Sequence, residues 1–81
     1  MYTEIEDTTE AEKAGKIKAY QVIMIPTPEA RLEGARSKLL AAFHKQADAI
    51  AYSEALAPPI KPYTKYVVQP IFHLRSWVRL Q

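Results

Sequence analysis

From Lys16 to Ile25 the chain alternates in the two-residue rhythm of a β-strand. Ile17, Ala19, Gln21, Ile23 and Ile25 fall on one face; Lys16, Lys18, Tyr20, Val22 and Met24 fall on the other. Its second half, Val22-Ile23-Met24-Ile25, is apolar on both faces, as in a strand buried from two sides. The pattern then changes abruptly at Pro26-Thr27-Pro28-Glu29. Thr27 can cap free helix N–H groups, Pro28 suits the first helical position, and Glu29 opposes the positive end of the helix.

Beyond that junction the spacing predicts one long helix over 28–57. Its stripe is Leu32, Ala35, Leu39, Ala42, Phe43, Ile50 and Ala57, interrupted by Gln46 and Ser53. Leu40, Ala47 and Ala51 widen it. Such a helix would be ~45 Å long, more than a small globule needs. It must either break near Asp48 or project and pack against its copy. Gly34 would remove bulk and let another helix come close. Pro58, Pro59 and Pro62 make a stiff connector over 58–62 that cannot continue a helix.

Strand patterning resumes over 63–69 and again over 71–80, with Pro70 marking an edge, a bulge or a bend. Taken as one strand these segments would span ~60 Å. Either the chain bends at Pro70 or its last residues complete a partner's sheet. Residues 1–15 offer Tyr2 and Ile5 as apolar anchors. They read as a mobile acidic arm with a short edge strand near 2–6 and a turn or two of helix from Thr8, stopped by Gly15.

The expected fold is therefore α+β: strand, long helix, strand and a second C-terminal strand, as a single small domain over 16–81. The helix covers one sheet face, and a second copy covers the face carrying Val22, Met24 and Trp77. Length sharpens that expectation. A chain of 81 residues buries a small share of its surface, and with no cysteine it has no disulfide or thiolate metal site to compensate. Self-association is the remaining remedy, so a homodimer is expected.

Charge is distributed unevenly. Glu4, Glu6, Asp7, Glu10 and Glu12 against Lys13 leave residues 1–15 at −4, and the rest of the chain at +6. The acidic arm either folds back over the basic body or keeps the protein soluble. Nothing in the arm resembles a signal peptide, and no apolar run approaches the ~20 residues that cross a bilayer. The expected location is the cytoplasm, or a virus particle assembled there, with no membrane partner.

Candidate chemistry is sparse. Ser37, Ser53 and Ser76 lie in no Gly-flanked elbow, and the only glycines, Gly15 and Gly34, make no phosphate loop. His44 and His73 have no metal-ligand spacing, and Glu29 and Glu33 are accounted for by the helix end and by Arg36. The expectation is no catalytic residue, no metal and no cofactor. Residues 58–81 differ in kind: they hold Lys61, Lys65, Arg75 and Arg79, no acid, and half the chain's aromatics. In a regular final strand, Ile71, His73, Arg75, Trp77 and Arg79 share one face. Guanidinium groups flanking an indole suit phosphates and stacked bases, yet Arg also stacks on Trp at ordinary protein interfaces. Lys61, Lys65, His73, Arg75, Trp77 and Arg79 form the candidate binding surface. Lys16 and Lys18 join Lys61 and Lys65 in one patch if their strands are neighbours. The expected function is a non-enzymatic interaction protein acting as a homodimer through protein–protein contacts. The alternative is a nucleic-acid-binding protein using the C-terminal strand.

Overall fold

A computed structural model describes residues 3–73. It is a small α+β fold: a four-stranded mixed sheet with three helices. The elements run β1 (Thr3–Ile5), α1 (Thr9–Lys13), β2 (Ile17–Pro26), α2 (Pro28–Leu32), β3 (Lys38–Phe43), α3 (Gln46–Glu54) and β4 (Tyr63–Phe72). The strand order is β1-β4-β2-β3. β2 pairs antiparallel with both β3 and β4, while β1 pairs parallel with β4.

The strand expected over 16–25 forms as β2 and sits at the centre of the sheet. The turn at Thr27 also forms as its residues dictate. Thr27 Oγ accepts a hydrogen bond from the Ala30 amide at 3.1 Å, with Pro28 in the first turn. The helix it starts is short. The long helix over 28–57 is corrected to a five-residue α2, the strand β3 and a separate α3. Gly34 adopts φ +103°, which turns the chain out of α2, and open space surrounds its Cα hydrogens. It therefore serves a turn and not a close helix contact. Leu32, expected in the helix stripe, is 90% exposed. Asp48, the suggested break point, lies in the first turn of α3.

The segment Lys38-Leu39-Leu40-Ala41-Ala42-Phe43 is short and apolar, so its own preference is ambiguous. The open edge of β2 decides it. Backbone pairing from Tyr20↔Phe43 to Met24↔Lys38 satisfies a row of donors and acceptors that β2 would otherwise leave bare. β3 and β4 then run in the same direction with β2 between them. A connection between parallel strands has to cross the sheet, and α3 supplies that crossing.

Ala49 and Ser53 face inward from α3, and Leu56, just beyond its end, packs on the same core. Ala49 and Val22 are both 0% exposed, the small side chain letting the helix lie close to the strand. Tyr20, Val22, Tyr66 and Val68 complete the core, with Ile17, Met24, Leu40, Phe43, Ile50, Tyr52 and Leu56 packed around it. Buried Ser53 donates to the Ile50 carbonyl at 2.8 Å, and Tyr66 Oη donates to the Ala57 carbonyl at 2.5 Å. Phe43 and Tyr52 stack at a tilt, with ring centres 5.3 Å apart.

Two expectations about the strands are corrected. The face carrying Val22 and Met24, expected to meet a second copy, is the one under α3. Pro70 does not divide two strands, because β4 runs through it to Phe72. Val68 accepts from the Glu6 amide, so the backbone groups of Val68 point toward β1. Pro70 lies two residues further on, so its nitrogen, which carries no hydrogen, points the same way, beyond the last registered pair Ile5↔Val68. The remainder of the strand expected over 71–80 lies outside the described residues.

Candidate interaction surface

Alternation along the strands that builds the core also builds the opposite sheet face. Gln21, Ile23 and Ile25 on β2 alternate with the core residues. Their neighbours are Val67, Gln69 and Lys65 on β4 and Ala42 and Leu39 on β3. Among the described residues no helix lies across the centre of this face; α2 borders it, Pro28 and Arg31 meeting Ile25 and Lys65 around a cavity of about 410 Å³. Leu39 is 62% exposed, Ile23, Ile25 and Ile71 are half-buried, and only Val67 at the centre is buried. A β-bulge at Lys18 moves Ile17 to the core side, so the two-residue rhythm does not extend unbroken to the strand's start.

The centre of the open face holds no charge. Its polar groups are the amides of Gln21 and Gln69, where Gln21 Nε2 donates to Gln69 Oε1 at 3.3 Å. At the rim, Lys65 Nζ is ion-paired with Glu4, whose strand β1 lies alongside β4. Both partners are well exposed, so the pair contributes under about 1 kcal/mol. A second acidic contact comes from α1: Tyr20 Oη donates to Glu12 at 3.2 Å. At the start of α1, Asp7 accepts from the Thr9 amide at 3.1 Å and the Thr9 hydroxyl at 2.8 Å. The Thr9 amide, then its hydroxyl, hold the Asp7 carboxyl below its ordinary value.

The basic residues do not gather as one patch. β2 and β4 are neighbours but antiparallel, with Ile17↔Phe72 at one end and Pro26↔Tyr63 at the other. Lys16 and Lys18 therefore lie at the end of the sheet opposite to Lys61 and Lys65. His73 joins the first pair, its amide donating to the Lys16 carbonyl at 3.0 Å. Arg75, Trp77 and Arg79 lie outside the described residues.

Two further concave regions flank the sheet. A cleft of about 480 Å³ is lined by Glu12, Ile17, Tyr20, His44, Lys45 and Gln46, beside the start of α3. The Pro-rich connector forms a more apolar groove with Met24, Leu56, Ile60 and Tyr66. No group of three or more His, Cys, Asp or Glu among the described residues is placed to hold a metal ion. No helix among them is long and apolar enough to cross a membrane.

The open face escaped the sequence reading because Leu39 and Ala42 were assigned to a helix. Two signals pointed to it: the apolar second half of β2, and Gln69 with Val67 in the matching rhythm of β4. Comparison with protein-family models, curated proteins and solved structures found no match to the chain.

Proposed function

We propose that this chain is a non-enzymatic interaction protein that works as a homodimer through protein–protein contacts. One observation carries the reading: a single copy leaves a sheet face with an apolar, uncharged centre and no covering element among the described residues. Small chains have little core to spare, and contiguous apolar surface of this kind belongs to interfaces. Sedimentation equilibrium of the purified protein tests the reading. The expected species has twice the 9.2 kDa chain mass, and a stable 9.2 kDa species up to high micromolar concentration would overturn it.

A second reading, nucleic-acid binding, is favoured by one contact. The His73–Lys16 hydrogen bond brings Lys16 and Lys18 beside the point where the chain continues toward Arg75, Trp77 and Arg79. Phosphate contacts made there would give affinity for mixed-sequence oligonucleotides that falls steeply with salt. Absence of binding at ~50 mM salt would remove this reading.

A further inference from the structure

We infer that the second copy docks on the open sheet face, sheet against sheet, around a two-fold axis near the Gln21–Gln69 pair. The inference rests on the homodimer reading and adds the surface and the geometry. Three observations favour a second copy as the occupant.

The first is self-complementarity. A two-fold interface sets each surface against itself, so a patch dominated by one charge repels its own copy. The open face has no charge at its centre, and its rim carries Lys65, paired with Glu4, with Arg31 beside it. The second is the chemistry of the central polar groups. Gln21 and Gln69 share one hydrogen bond, which leaves a free donor on each amide nitrogen and acceptor capacity on both oxygens. Amides both give and accept, so this pair can bond to its own image, as a carboxylate or guanidinium cannot. The third is area. Strands of three, ten, six and ten residues at ~4.8 Å spacing present a face of roughly 450 Å². Two such faces bury roughly 900 Å², the size of a small, weak interface.

Pairing through the free edge of β3 is the competing arrangement. Edge pairing would leave Ile23, Ile25 and Ile71 where they are, still partly facing water, and Lys38 begins that edge. Face-to-face packing removes them from water and places the sheets ~10 Å apart, with the two α3 helices on the outside.

The absence of cysteine gives the test clean labelling sites. In the full-length protein, spin labels at Ala42→Cys on the open face should lie closer to each other across the dimer than labels at Glu54→Cys on α3. Separately, Leu39→Glu and Ile23→Lys should each weaken dimerisation at least tenfold. Leu39 is already mostly exposed, so its variant keeps a cooperative melt, and Leu32→Glu on α2 should leave the dimer unchanged. A dimer that survives both face variants, or that brings the Glu54 labels closer than the Ala42 labels, overturns this surface while the homodimer reading stands. A wild type monomeric at all concentrations overturns both. Shielding of Ala42→Cys from a water-soluble thiol reagent in such a monomer would assign the face to the chain's own residues 74–81.

Discussion

Thr27 joins three parts of the chain through its own atoms. Its amide donates to the Pro62 carbonyl at 2.8 Å, its hydroxyl accepts from Ala30, and its carbonyl accepts from Arg31 at 2.9 Å. The side chain thus starts α2 while the backbone ties the end of β2 to the Pro-rich connector. Thr27→Ala removes the hydroxyl acceptor together with one methyl group, and loss of the cap should cost about 1 kcal/mol. For a chain of this size that lowers the melting temperature by roughly 4–8 °C, and Thr27→Ser should restore it. Asp7 gives a second residue-level prediction. Its carboxyl is held low by the Thr9 amide and hydroxyl, so its contribution to α1 is complete above its ordinary value and drains as pH falls through the lowered one. The Thr9 amide shift in an NMR titration should follow that curve. Asp7→Asn keeps an acceptor and should flatten it.

At the scale of elements, the decisive contest is between helix and strand in the middle of the chain. Two assignments give opposite signs for one substitution. If Gly34 lay within a continuous helix, Gly34→Ala would stabilise by about 1 kcal/mol. With Gly34 at φ +103° in a turn, alanine is strained although there is room for its methyl group, and the change should destabilise by about 1 kcal/mol or more. Chemical denaturation of the variant reads the sign directly. The same contest explains what was legible in the sequence. β2 and the Thr27 cap were, because alternation and capping are local properties of the residues that show them. Most of β4 was, except that the strand runs on through Pro70, which lies beyond the last pair with β1. β3 was not, because Leu39, Ala42 and Phe43 match a helical stripe as well as a strand, and the bare edge of β2 that settles the matter is a tertiary fact. Lys16 and Lys18 do not join Lys61 and Lys65 in one patch for a related reason: antiparallel pairing of β2 and β4, invisible in either segment alone, puts the two pairs at opposite ends.

At the scale of the whole molecule, neighbouring residues of β2 answer to different partners. Val22 is fully buried against α3, whereas Ile23 is half-buried on the open face. Val22→Ala removes buried methyl groups from the monomer's own core and should cost about 2 kcal/mol at every protein concentration. Ile23→Ala removes more hydrocarbon but from a surface the proposed dimer covers. Its effect therefore passes through mass action: a dimer's apparent stability rises with protein concentration, and a monomer's does not. Melting both variants and the parent over a hundredfold range of concentration separates the two cases. For the parent and Val22→Ala, the melting temperature should climb in parallel, offset by the core penalty. For Ile23→Ala it should lie near the parent at the dilute end, where little dimer exists, and fall behind as concentration rises. Equal deficits for Ile23→Ala at both ends would mean that Ile23 serves its own monomer, and the open face would then not be where the second copy binds.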